Sequence, residues 1–204
     1  QAVSAQAIHQ SDNAPKAGVY VQDDWKTLSS DLPWAAGSAI SVAWRQLEPK
    51  QGEYRFQEVD AWLEKLDQVG KKGVIEILLR CADDETGTDG CAPPWTLGWD
   101  PVLADGIARL NYLDPQVRNA LHRLVAALAS RYASDDRLSQ MVIGLGYAGQ
   151  ASPCPSSGAA VSHSECDAYR RQYATIPDAW VGYAGELLDV YASAFRSIGG
   201  AKHT

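Results

Sequence analysis

The sequence predicts an α/β fold built on a parallel sheet, and three observations carry that prediction. Strand-like and helix-like patterns alternate along the chain as βαβαβαβα, which with right-handed crossovers implies parallel strands with helices outside them. The strand runs are short and apolar on both faces, as parallel strands covered by helices are. Between Val42 and Leu79 a complete strand, elbow, amphipathic helix and second strand follow one another without interruption.

The elements can be justified in order. A polar N-terminal extension, residues 1–16, precedes a domain over residues 17–204 that opens with a strand, Gly18 to Gln22. The connection through Trp25, Leu28 and Leu32 is poorly periodic, and strand two follows over Ser38 to Trp44. In the next helix Val59, Trp62, Leu63, Leu66 and Val69 recur at helical spacing, while Glu58, Glu64, Lys65, Asp67 and Gln68 fill the other face. Gly70 and the Lys71-Lys72-Gly73 step stop it, and strand three is predicted over Gly73 to Leu79. Asp114 followed by Pro115 reads as an N-cap with proline at the first helical position, opening a helix whose Val117, Leu121, Leu124, Val125, Leu128 and Tyr132 form one stripe. Strand four is predicted over Met141 to Gly146, and a last helix over Pro177 to Ile198 that buries Trp180, Leu187, Leu188, Tyr191 and Phe195. The connections from Arg80 to Leu113 and from Tyr147 to Ile176 are far longer than ordinary strand-to-helix loops, and both follow strand C-termini, which marks them as functional candidates.

Composition narrows the function. The 204 residues are 46% hydrophobic and 21% charged, enough apolar content for a real core. A formal charge of -7 without a long Lys/Arg cluster argues against a nucleic-acid partner. No stretch approaches the ~20 apolar residues of a membrane span. Seven Trp and nine Tyr against two Phe favour rings with a polar edge, suited to stacking on sugars as well as to packing. The four cysteines fall as local pairs, Cys81 with Cys91 and Cys154 with Cys166. Neither has C-x-x-C spacing and only His163 lies near, which favours two loop disulfides over a zinc site. Each would close a loop of about ten to fifteen residues and contribute about 3 kcal/mol. Such bridges point to a secreted or periplasmic protein. The chain opens at Gln1, with Ala5-Gln6-Ala7 similar to a small-residue cleavage site, as expected of a trimmed precursor or an excised fragment. No dinucleotide-binding, phosphate-loop, H-E-x-x-H or G-x-S-x-G motif occurs, and the expectation is of no cofactor and no metal.

The elbow WRQLEPKQGEYRF adds a family resemblance. Trp44, Leu47, Glu48, Pro49, Gly52, Tyr54 and Phe56 match the W-x-x-L-E-P-x-x-G-x-Y-x-F/W elbow that follows the second barrel strand in clan A glycoside hydrolases, the superfamily of beta-galactosidase and cellulase type. The helix VDAWLEKLDQVGKKG and the Pro93-Pro94-Trp95 segment resemble the same family. The resemblance implies a (β/α) barrel of TIM type, of which about four of the eight units are present: an N-terminal half barrel, read as a fragment, a cleaved chain or an incomplete product, with a second chain or segment completing it. A complete four-stranded α/β sheet is the alternative. The resemblance also implies a glycan substrate in a groove at the strand C-termini, and a retaining mechanism with one carboxyl at the end of strand four and another at the end of strand seven.

On this chain the strand-four location is Gly144 to Pro153, and Gln150 stands at the position of the expected acid/base glutamate. An amide keeps the shape and hydrogen bonding of a carboxyl but donates no proton to a leaving sugar. An inactivating substitution, a natural pseudoenzyme, or an alignment slip in which Glu165 or Asp167 serves would each account for it, although surface placement suits those two acids better. Other candidates sit at strand ends. Gln22, Asp23 and Asp24 follow strand one and suit either sugar hydroxyls or helix capping. Arg80 ends strand three and suits either the barrel mouth or an ion pair with Asp83, Asp84 or Glu76. Glu76 lies within an apolar strand and reads as a site carboxylate or, better, as a buried partner of Arg80. Trp95 and Tyr147 are the predicted stacking platform with Trp99, while Glu48 is expected to hold the elbow and Trp44 to pack. The reading is a carbohydrate-active module, with a catalytically silent sugar-binding protein on the same fold as its main rival and a pure interaction scaffold as a third.

Overall fold

The computed structural model describes residues 18–22, 32, 34–81, 90–154, 163–173 and 178–196. Four parallel strands, β1 (Val19–Gln22), β2 (Ala35–Ala43), β3 (Lys72–Leu78) and β6 (Leu138–Val142), form one sheet in the order β1-β2-β3-β6. A hairpin of β4 (Val102–Ala104) and β5 (Ile107–Arg109) is set between β3 and β6 in the chain. The helices are α1 (Trp44–Leu47), α2 (Gln57–Asp67), α3 (Pro115–Tyr132), α4 (His163–Tyr173) and α5 (Ala179–Ala194), with a 3₁₀ turn over Pro94–Gly98. The expected polar extension 1–16, the connection through Trp25 and Leu28, and Asp23, Asp24, Asp83 and Asp84 lie outside the described residues.

Each face of the sheet follows from the two-residue period of the strands. Ile75 and Ile77 of β3, and Leu79 just past its end, are fully buried on the helix side, with Val42 beside them on β2. Gly73 belongs to this face because α2 leaves no room there: an added Cβ would lie 2.6 Å from both Leu63 and Trp62. Helix α2 delivers the predicted stripe, burying Val59, Trp62, Leu63 and Leu66, whereas Val69 lies past its end and is 46% exposed. Helix α3 starts where Asp114 accepts the backbone N–H groups of Gln116 and Val117, so the predicted cap forms as read. Asp60 ties the two helices together, accepting Arg131 Nε at 2.8 Å and the Tyr132 hydroxyl at 2.9 Å.

The other face carries Gln22, Ala39, Ser41, Glu76, Leu78 and Val142 and is open to differing degrees, Val142 being 40% exposed. Tyr20 crosses the lower end of the sheet from β1 to donate to Ser139 of β6 at 2.8 Å, passing Gly37, where any Cβ would lie 2.7 Å from its ring.

Several boundaries differ from expectation, for identifiable reasons. Strand β6 begins at Leu138 rather than Met141 and ends at Val142 rather than Gly146. The two glycines beyond it serve close backbone approaches instead: a Cβ on Gly144 would lie 2.6 Å from Ile77 O, and one on Gly146 2.0 Å from Ser152 O. The two long connections are not bare loops. The first contains the β4–β5 hairpin, turned at Asp105-Gly106 with both φ positive, +53 and +75, the primed geometry favoured in tight hairpins. The second contains α4, whose inward residues Glu165, Cys166, Ala168 and Tyr169 are too mixed to read as an apolar stripe. Leu188 of α5 is 49% exposed, not buried, while Tyr183, Leu187 and Tyr191 face the core.

Candidate functional site

Three groups of residues gather at the C-terminal ends of the parallel strands. The first is the elbow after β2. Glu48 is fully buried; it accepts Trp44 Nε1 at 2.9 Å and the Gly52 backbone N–H at 2.7 Å, so it pins the turn, as its sequence position suggested. Gly52 takes φ +78, a conformation for which glycine is suited. Burial, followed by the Glu48 charge, raises the pKa of neighbouring Tyr54. Trp95 of the 3₁₀ turn leans on this elbow, donating from Nε1 to Glu48 O at 3.2 Å and meeting Trp44 and Trp99 edge to face at 5.8 and 5.2 Å. Trp95 and Trp99 are both half-buried, Trp44 wholly so.

The second group is a polar row on the open face of the sheet. Gln22 Nε2 donates to Ser41 Oγ at 3.4 Å, and Ser41 Oγ donates to Glu76 Oε2 at 2.8 Å, linking β1, β2 and β3. Glu76 therefore partners Ser41 rather than Arg80. Its other oxygen lies against the loop after β6, since a Cβ on Gly149 would stand 2.1 Å from Glu76 Oε1. Gly149 has φ +76, so this close approach needs glycine on both steric and conformational grounds.

The third group clamps the two long connections together. Arg80 is 1% exposed and pairs through Nη2 with Glu165 Oε1 of α4 at 2.7 Å, with Arg109 of β5 at 3.9 Å from Oε2. The sequence suggests Asp83, Asp84 or Glu76 as partners, whereas the ion pair formed among the described residues reaches to α4, a helix within the second long connection. Glu165 is correspondingly buried rather than on the surface, whereas Asp167 is exposed and meets Arg170 at 3.2 Å. The Arg80 guanidinium also lies 5.0 Å from the Tyr147 ring centre, and its carbonyl accepts the Ala148 N–H at 2.7 Å. Two disulfides flank the pair: Cys81–Cys91 next to Arg80 and Cys154–Cys166 next to Glu165, with Cα separations of 5.2 and 5.3 Å. Both expected bridges are formed.

Gln150 sits between the polar row and this clamp. Its backbone N–H donates to Tyr147 O at 2.9 Å, closing the turn Tyr147-Ala148-Gly149-Gln150, and its side chain is exposed. Ser41, Gly149 and Trp180 were not singled out as site residues from the sequence. Trp180 donates from Nε1 to Ala151 O at 3.1 Å, one residue beyond Gln150, and stacks on Tyr173 at 6.5 Å. Burial raises the pKa of Tyr173 and of Tyr183, the phenols beside it. Trp180 looks like one more apolar residue of a helix in sequence, but Ser41 had a readable signal: a lone hydroxyl on the same strand face as Ala39 and Ala43. Among the described residues, no three His, Cys, Asp or Glu side chains are grouped to hold a metal, and no helix is long and apolar enough to cross a membrane.

Comparison with known proteins identifies a family and a fold. The family profile described as beta-galactosidase, glycoside hydrolase 42, matches residues 36–180. The catalytic domain of a beta-amylase from Paenibacillus polymyxa superposes with a TM-score of 0.66 at 13% identity over 92% of this chain and 65% of that one. A beta-galactosidase from Rahnella sp. R3 superposes with a TM-score of 0.52 at 14% identity over 91% of this chain and 35% of that one. At such identities the likeness is one of fold, and this chain spans about two thirds and one third of their respective lengths. No curated protein matches the chain.

Proposed function

Because this chain belongs to the beta-galactosidase family of glycoside hydrolases, family 42, and forms part of a TIM-type barrel, we propose that it handles a glycan at the C-terminal ends of its parallel strands. In this reading the groove is floored by Gln22, Ser41 and Glu76 and walled by Tyr147, Gln150 and the 3₁₀ turn that rests Trp95 on the elbow. The observation that carries this reading is Gln150: its turn, after β6, is clasped against Glu76 and Arg80, and its match in sequence to the strand-four acid/base segment of clan A enzymes supports assigning it to that position. The Arg80 clamp holds the rim of this groove rather than touching sugar. In the hydrolytic form of the site, a carboxyl at position 150 protonates the leaving oxygen while a second carboxylate, supplied from beyond these strands by a further segment or a second chain, attacks the anomeric carbon.

With an amide at 150, this chain binds its glycan without cleaving it. An exposed glutamine at the acid position specifically favours this sugar-binding reading. Calorimetry against a panel of oligosaccharides tests it: binding is expected, and Trp95→Ala should weaken it by about tenfold, within the range for loss of one aromatic contact. Failure to bind any glycan would leave only a scaffold. Gln150→Glu, in a chain carrying the second carboxylate, should gain aryl-glycoside hydrolysis; continued inactivity there would remove position 150 from the chemistry. The paired disulfides support an extracellular or periplasmic setting.

A further inference from the structure

We propose that Glu76 recognises a protonated amine on the sugar, so that the glycan preferred by this groove is an amino sugar, a polymer or oligomer of 2-amino-2-deoxyhexose. This deepens the carbohydrate reading above and depends on it. Glu76 lies on β3, one of the two inner strands, at the end of the polar row, and is partly open to solvent. The hydrogen bond it accepts comes from a neutral hydroxyl, Ser41 Oγ, and among the described residues no ion pair joins it to a cation. The cations closest to it along the chain are committed elsewhere. Lys71 donates to the carbonyls of Leu32 and Ala35, Lys72 to that of Asp136, and Arg80 is paired with Glu165.

A carboxylate held by a hydroxyl, with no counter-charge among the described residues, attracts a cation that can reach it. The attraction is several times stronger at the effective dielectric near a protein surface than in bulk water. A sugar hydroxyl can hydrogen-bond to the carboxylate but leaves its charge uncompensated, whereas an ammonium does both. The neighbours are arranged to present this charge. Ser41 holds Oε2, and glycine at 149 lets the loop close over Oε1 without a side chain displacing it. The chain as a whole, with 25 acidic against 18 basic residues, draws cationic glycans toward it.

The test is calorimetric titration of the 204-residue chain, in mildly acidic low-salt buffer, with a glucosamine pentasaccharide, its N-acetylated counterpart and a neutral glucose pentasaccharide. The amine-bearing glycan should bind at least about tenfold more tightly than the other two, as a charge-assisted hydrogen bond requires. That preference should shrink as salt is added. Glu76→Gln keeps the side-chain shape and an oxygen for Ser41; it should erase the preference, bringing the ratio of affinities for the amine-bearing and neutral glycans from at least about tenfold to about one. Equal binding of all three glycans, or a preference that survives Glu76→Gln or high salt, overturns the inference and leaves the carbohydrate reading standing. No binding of any glycan overturns both. If the variant fails to fold, the amine-against-acetyl comparison and its salt dependence on the native chain decide the matter.

Discussion

At the scale of single residues, the site is organised by two glycines that do different work. Gly52 turns the elbow at φ +78 with nothing within 4 Å of an added Cβ, so its glycine answers to backbone conformation alone. Gly149 has nearly the same φ, +76, but a Cβ there would stand 2.1 Å from the Glu76 carboxylate. Gly52→Ala is therefore expected to cost about 1 kcal/mol. Gly149→Ala should cost more, about 2 to 3 kcal/mol, and should also lower glycan affinity by pushing Glu76 out of line. Urea unfolding of both variants with parallel titrations checks this; equal stability losses and unchanged affinity for Gly149→Ala would mean that the Gly149–Glu76 approach has no functional weight. The elbow could be read from sequence because its residues act locally: Glu48 reaches Trp44 and Gly52, each four positions away. Glu76 could not be assigned in that way. Its partner Ser41 is 35 positions distant, and strand register alone decides that the two side chains share a face.

At the scale of elements, the two long connections are joined by a buried ion pair bracketed by disulfides. The cysteine spacing predicted both bridges, because short loops bring such pairs together whatever the fold does. Arg80 and Glu165 were separately visible as charged residues in strand-end and loop contexts, yet their pairing depends on α4 folding back onto β4 and the end of β3. Removing one member strands a buried charge, so Glu165→Gln is expected to lose about 3 to 5 kcal/mol, whereas replacing both Arg80 and Glu165 with Met should restore much of that loss. Thermal denaturation of the single and double variants measures the difference. A single variant that loses less than about 1 kcal/mol would show that the pair contributes no more than an exposed one. Helix α4 itself was hidden in the sequence because its inward face is made of a glutamate, a cysteine, an alanine and a tyrosine, and only the ion pair and the disulfide make that face buriable.

At the scale of the whole molecule, β2 and β3 are the inner strands of the sheet and β1 and β6 flank them. Amide exchange should accordingly be slowest in β2, β3 and the helices α2 and α3 that cover them, and faster in β1 and the β4–β5 hairpin. Exchange in the hairpin as slow as in β3 would refute this ranking. What the sequence determined by itself was local or periodic. It determined the alternation of strands and helices, the apolar stripes of α2 and α3, the Asp114 cap, the elbow, and the two disulfides, because each of these depends on residues within a few turns or one short loop of one another. Tertiary structure alone decided which carboxylates do what. It buried Glu165 against Arg80, left Glu76 on the open face beside Ser41 and Gly149, and ended β6 at Val142, ahead of the glycine turn that carries Gln150. The physical reason is that a charged side chain's role is set by the counter-charge and solvent it meets, and those arrive from segments far away in the chain.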